Sequence, residues 1–494
     1  MAHYLGIDVG TSAVKAVIID GQQSVVAEAD VPLHVSRPHD GWSEQDPEDW
    51  WKAVQAVVGQ LAAQSKGGLS DTQGFGLSGQ MHGAVLLDEH NRPVRPAILW
   101  NDGRSSMEAE ELGSQYPELA HRVGVMPMAG FTAPKLLWLA KHEPDAFRAV
   151  RKIISPKDYI RLKLTGRLMT DMSDAAGTWW LDEAARDWSD EALAATGIDR
   201  SYMPDLVEGS QSSGVLYSNL AKQWGMNGEV VVAGGAGDAA AGAVGLGAIE
   251  DGSAFISLGT SGQLFVTTQN FNPAPETLLH SFCHTLPDRW FQMAAMLNGA
   301  SCLAWVAGVL RQDIAKLLAD TGAVYRSPSR TLFLPYLTGE RTPHNDLCAR
   351  GVFFGMSPET GQTELVQAVL EGVAFSFADA KQALEAAGTT LTSAGLVGGG
   401  SRSAFWVKIF ANVLNIPLRR YEGSDKGPAF GAARLAKLAV TGEPPENVCK
   451  PPRIIQTIHP QRDLVESYAP RIEAFRDLYR ALKSEFQKTV ASTN

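Results

Sequence analysis

Two aspartates fall where an acid is least expected. Asp8 interrupts the apolar run Tyr4–Val9, directly before a Gly10-Thr11-Ser12 turn, and Asp238 follows the glycines of VVVAGGAGDAAAGAVG, Val230 to Gly245. A carboxylate at a helix start can be a cap. On a glycine-lined floor it can instead serve as a general base to a closely approaching substrate. Some 250 residues after the opening turn, AFISLGTSGQLFVTTQ repeats the strand–turn–strand pattern. Gly259, Thr260 and Ser261 fall on Gly10, Thr11 and Ser12, and Ser257 takes the place of Asp8. Small residues let the backbone approach phosphate oxygens while N–H groups and hydroxyls donate to them. One such turn alone reads as an ordinary hairpin. Two facing each other across a cleft would grip a polyphosphate, and Asp8 would supply the carboxylate for a hydrated Mg²⁺.

Other candidates are weaker taken singly. GLVGGGSRSAFW, Gly395 to Trp406, places three glycines between a strand and a helix. That is costly in backbone entropy, and close approach to a flat ligand such as adenine accounts for it better than a simple turn. His82, beside Met81 in LSGQMHGAVLL, is either a solvated turn residue or one held over a cleft. Trp50-Trp51 and Trp179-Trp180 read as packing pairs. No GxxxxGK[ST] loop occurs, and the GxGxxG string at Gly74–Gly79 leads into a strand rather than a helix, which argues against a dinucleotide site.

The elements that must position these residues alternate. Tyr4–Val9, Val14–Ile19 and Val25–Ala27 predict an antiparallel meander, and Gly74–Asp88 a further strand–turn–strand unit. Helical spacing predicts helices over Glu48–Leu61, Pro134–Lys141, Lys157–Leu164, Glu364–Leu384, Ser403–Leu414 and Leu464–Phe486, the last docking on the body. Strands are expected at Glu229–Ala233, Thr331–Leu337 and Leu396-Val397. The alternation is that of layered α/β domains. The repeated turn predicts duplication, with units at 1–248 and 249–494.

A 494-residue chain, 45% hydrophobic, suits two or three domains. Its net charge of −11 argues against nucleic acid or an anionic membrane as the main partner. Four cysteines without a CxxC pair predict neither zinc nor disulfides and suit a reducing compartment. MAHYLGIDVG lacks a basic region followed by an apolar run, so no leader is expected; no stretch reads as a membrane span.

Taken in order, these motifs resemble the FGGY carbohydrate kinases. Both signature blocks are readable, GFTAPKLLWLAKH at Gly130–His142 and GVFFGMSPETGQTELVQAVLE at Gly351–Glu371. GWSEQDPEDWW, SGQMHGAVLLD, ILWNDGR, TDMSDAAGTWWLD and LTGERTPHN extend the likeness through nearly the whole chain. The resemblance implies two duplicated actin-like (ribonuclease-H-like) α/β domains around a cleft. It also implies transfer of phosphate from ATP, with Mg²⁺, to a ketose, D-xylulose first, in the cytoplasm. It assigns Asp8 to Lys15, with Thr11 and Ser12, to the first phosphate motif, and Ser257 to Gly262 to the second. Gly398, Gly399, Gly400 and Ser401 match the adenosine motif, Met81 and His82 the ketose-contacting pair, and Asp238 the catalytic base. Ala239 departs from the pattern, since relatives often carry an amide there that reaches the sugar. Kinases of ribulose or glycerol, and an actin- or Hsp70-like nucleotide switch, are the rival readings; a NAD-dependent dehydrogenase is a distant third. A homodimer is compatible with all of them.

Overall fold

A computed structural model describes residues 2–65, 67–422 and 427–491. Its frame is two seven-stranded sheets that repeat one plan. In the first, the hairpin His3–Val9/Ala13–Asp20 carries the antiparallel strand Val25–Pro32 on one flank. On its other flank lie the parallel strands Thr72–Gly79 and Val231–Ala233, then antiparallel Ser212–Val215. The second sheet repeats this with the hairpin Ala254–Leu258/Gly262–Thr268, antiparallel Trp290–Met296, parallel Ala394–Val397 and Leu418–Tyr421, and antiparallel Ile454–Ile458. Six strands correspond in order and direction, and His280–Cys283 is added at one edge. The duplication read from two short turns therefore extends through whole sheets.

The expected helices form as Pro47–Gln64, Thr132–His142, Pro156–Thr165, Gln362–Ala386, Ala404–Leu414 and Arg462–Ala491. The last buries Tyr468, Phe475 and Tyr479 against the second core. Trp50, Trp179 and Trp180 are fully buried, as packing residues should be. Two expectations change. Val85–Leu87 does not return along Thr72–Gly79 but pairs with Lys152–Ile154. Leu332–Leu334 is shorter than the predicted strand and pairs with Val352–Phe354, outside the main sheet. In both cases periodicity located the strand while a distant segment chose its partner.

Sequence patterning does not mark the helix Gly427–Thr441, which leaves the second half and lies on the first sheet. Gly6 and Gly76 make room for it. A methyl at either would overlap the carbonyl of Ala429 or Ala432, and one at Gly74 would come within 2.8 Å of Val440. The same helix meets Asp238–Leu246 through Gly431, where a methyl would overlap the Ala241 carbonyl. Arg434 then donates to the Val244 carbonyl at 2.9 Å, to Gln23 at 2.8 Å and to the Lys450 carbonyl at 2.9 Å. Gly74 and Gly76 of the GxGxxG string are thus accounted for by helix-on-strand packing.

Candidate active site

Strand register brings the two aspartates together. Asp8 pairs with Ser78 across parallel strands, and the short strand Ala236–Gly237 pairs with Ser78 and Gly79 on the other side. Asp238 follows at once, so both acids leave the carboxyl ends of parallel strands that flank Thr72–Gly79, the usual ligand edge of such sheets. Asp8 is 8% exposed and accepts the Ser78 hydroxyl at 3.0 Å. Burial raises its carboxyl to about 6, opposed by Ser78 and by Lys15 across the hairpin. Asp238 is half-buried, and burial followed by the Asp8 charge raises it to about 7. It is the first residue of the helix Asp238–Leu246, and no side chain caps that helix. Its Oδ1 accepts the adjacent Ala239 N–H at 2.8 Å.

The floor that delivers Asp238 is gripped from below. Arg161 donates to the Ala233 carbonyl at 2.7 Å and also to that of Gly234. The Gly237 N–H donates to the Ser173 hydroxyl at 3.1 Å, and Ser173 donates to Asp171 at 2.5 Å. Lys157 gathers Asp158, Asp171 and Asp174 at 2.6, 2.8 and 3.1 Å, every side chain fully buried. An isolated charge at such a place would be prohibitive, so these groups stand or fall as a set.

Met81 lies over Gly237, where a methyl would come within 2.7 Å of its Cγ and Sδ. His82 adopts φ +66°, and its Nδ1 stands 2.7 Å from the Gly177 carbonyl. Nδ1–H therefore donates there and Nε2 is left as an acceptor. Burial holds the imidazole well below its ordinary range, hence neutral. Its ring packs on Phe131 at 4.5 Å and near His280 at 6.2 Å. Lys135 secures the turn by donating to the His82 and Gly130 carbonyls, both at 2.7 Å.

The nucleotide candidates divide more finely than the motifs suggested. The Thr11 hydroxyl donates to Gln80 at 2.9 Å and accepts from the Trp100 indole at 2.9 Å, so its proton is committed inside the protein. Ser12 and Lys15 are exposed. In the second turn Thr260 is exposed, and Gly259 and Ser261 are partly so. Gly398, at φ +84°, abuts that turn, and a methyl there would meet the Leu258 carbonyl at 2.7 Å. Gly399 is open, whereas Gly400 packs on Leu258 and Ser401 donates to the Gly398 carbonyl at 2.7 Å. Only Gly399 of the three glycines is free to meet a flat ligand. Ala239, 5% exposed, packs into the first core. Gln80, Trp100, Lys135, Ser173, His280 and Arg341 were not marked by residue type, although all but His280 sit inside SGQMHGAVLLD, ILWNDGR, GFTAPKLLWLAKH, TDMSDAAGTWWLD and LTGERTPHN.

Acids at strand ends, a half-buried histidine turn beside them and paired Gly-Thr-Ser turns on duplicated sheets define a phosphotransferase of the actin-like class. Residues 3–245 match the N-terminal domain, and residues 254–440 the C-terminal domain, of the FGGY family of carbohydrate kinases, and the chain belongs to that family. It is 47% identical over 481 residues to the xylulose kinase of Escherichia coli strain K12, covering 97% of this chain and 99% of that one. The crystal structure of a "xyloylose kinase" from Brucella ovis superposes with a TM-score of 0.94 at 49% identity, covering 98% and 99% of the two chains. The glycerol kinase of Plasmodium falciparum with ADP shares the fold, with a TM-score of 0.85 at 18% identity over 96% and 98% of the chains.

Proposed function

We propose that this kinase transfers the γ-phosphoryl group of ATP to D-xylulose, giving D-xylulose 5-phosphate. Asp238 carries the reading. A carboxylate raised to about 7, at a strand end beside Met81 and His82, suits a general base working at neutral pH. The sugar 5-oxygen attacks the γ-phosphorus in line, the bond to ADP breaks, and the hydroxyl proton passes to Asp238. Neutral His82 accepts a sugar hydroxyl at Nε2. Backbone N–H groups of Thr11-Ser12 and Gly259–Ser261, with the Ser12 and Ser261 hydroxyls, hold the phosphates, and Gly399 faces the adenosine. The two relatives named as kinases of this sugar support the choice of D-xylulose.

The residues present also fit Mg²⁺. No three-residue cluster of metal ligands exists among the described residues, and Lys15 is the cation that acts on Asp8. That donor set suits an ion kept mostly by water and phosphate, with Asp8 as its protein anchor. When bound, Mg²⁺ supplies neutralisation of phosphate charge. The same reading divides the chain at 248/249, just before the second sheet begins at Ala254. It also places the enzyme in the cytoplasm, consistent with four unpaired cysteines. Among the described residues no helix is long and apolar enough to cross a membrane.

A coupled assay of ADP release with D-xylulose, D-ribulose, glycerol and no sugar tests the proposal. D-xylulose should give the highest kcat/KM. Faster turnover of another acceptor reassigns the sugar, and ADP release indifferent to all of them removes the sugar-kinase reading.

A further inference from the structure

Arg341 is a guanidinium beside the proposed sugar turn, with Glu340 as its charged neighbour. Among the described residues no carboxylate pairs with it. Its neighbour Glu340 directs its oxygens to the Leu297 and Arg341 backbone N–H groups and to the Asn298 amide. The guanidinium makes one long hydrogen bond, to the Trp100 carbonyl at 3.4 Å, and stands 5.4 Å from the Trp100 ring. Most of its N–H groups make no hydrogen bond among the described residues, and the residue is only partly buried. A partly exposed donor fork with unspent N–H groups is available to a ligand.

Contacts place it relative to the chemistry. Asp238 follows Gly237, on which Met81 lies; His82 comes next and packs on Phe131. Phe131 follows Gly130, where a methyl would lie 3.4 Å from Arg341 Nη2. His280, also from the second half, completes this wall, edge-on to Phe131 at 5.6 Å, with its Nδ1 buried and unpartnered among the described residues. Arg341 therefore belongs to the part of the pocket beyond His82, away from the base.

The chemistry of the acceptor says what stands there. Closing a pentulose into a furanose consumes its 5-hydroxyl, so a chain that presents this hydroxyl to Asp238 is open. An open ketose carries a free carbonyl at C2, at its other end. That oxygen only accepts hydrogen bonds, and a guanidinium only donates them. We propose that Arg341 donates to the C2 carbonyl of the open-chain ketose and thereby selects ketoses over the corresponding polyols. The inference rests on the ketose reading given above, and it makes the second half of the chain part of the sugar site.

The alternative is a supporting role: Arg341 packs on Trp100, which holds Thr11 in the first phosphate turn. Comparing D-xylulose with xylitol, which keeps the hydroxyl but lacks the carbonyl, separates the two. Arg341→Met keeps an apolar stem against Trp100 and removes the donors. It should raise KM for D-xylulose about tenfold or more, leave KM for ATP within about twofold, and collapse the D-xylulose-to-xylitol preference of the parent enzyme. Arg341→Lys keeps a charge without the fork and should recover part of that preference. If Met prevents folding, the Lys variant alone decides, because an undiminished preference in it overturns the assignment. An unchanged preference with a raised KM for ATP in either variant likewise overturns it, in favour of support to Trp100. A parent enzyme that turns over no ketose defeats the underlying reading instead, and is told apart by D-xylulose turnover before any substitution.

Discussion

At the scale of single residues, the site depends on keeping two acids close in a dry place. Burial and the Asp8 charge raise Asp238 to about 7, so its ionised, base-competent form fills as pH rises through that value. kcat/KM for D-xylulose should climb between about pH 6 and 8 and then level. Asp238→Asn should lower turnover by about 10²–10⁴-fold while leaving ATP binding in place. The sign for stability is opposite. A carboxyl raised on folding favours the native state below its unfolded value near 4 and loses that contribution as pH rises through about 7. The Asn variant should therefore match the parent in thermal unfolding near pH 4 and exceed it at pH 8. Equal unfolding temperatures at both pH values would contradict the assigned burial of charge. The two acids were legible because an aspartate among apolar or glycine neighbours is conspicuous in a sequence. Arg341 and His280 were not, since an Arg or His in a loop or strand gives no sign of which distant residues will surround it. Thr11 was legible as a turn residue, but the commitment of its hydroxyl to Gln80 depends on a strand end 69 residues away.

At the scale of elements, helices and hairpins followed local periodicity, while the partners of short strands did not. Gly74–Asp88 reads as one hairpin, yet Val85–Leu87 leaves for Lys152–Ile154. The glycines of Thr72–Gly79 show the same limit. They imitate a dinucleotide fingerprint, and their cause is a helix more than 350 residues later that needs bare backbone to lie on. Gly76→Ala sets a methyl against the Ala432 carbonyl and should destabilise the protein by about 1–3 kcal/mol, measured by chemical denaturation. A cost near zero would mean that the helix Gly427–Thr441 does not bear on that strand as described. Distance in sequence hid this contact. An alanine-rich segment such as Gly427–Thr441 has no clear polar face from which to read its docking.

At the scale of the whole molecule, the two sheets are equivalent in plan but not in self-sufficiency. The first sheet has strand positions Gly6, Gly74 and Gly76 covered by a helix that the second half supplies. A fragment of residues 1–248 should accordingly expose that face and aggregate. Addition of residues 249–494 during refolding should return soluble, active enzyme, read by sedimentation and by the ADP assay. A soluble, cooperatively unfolding 1–248 fragment would show the covering helix to be dispensable. The return of Gly427–Thr441 also has a meaning in time. A ribosome adds residues in order, so the first sheet emerges nearly complete and then waits, one face bare, for about 10–40 s until its cover is made. Pausing, temperature or chaperone supply during that interval should govern yield in the cell more strongly than any property of the finished enzyme.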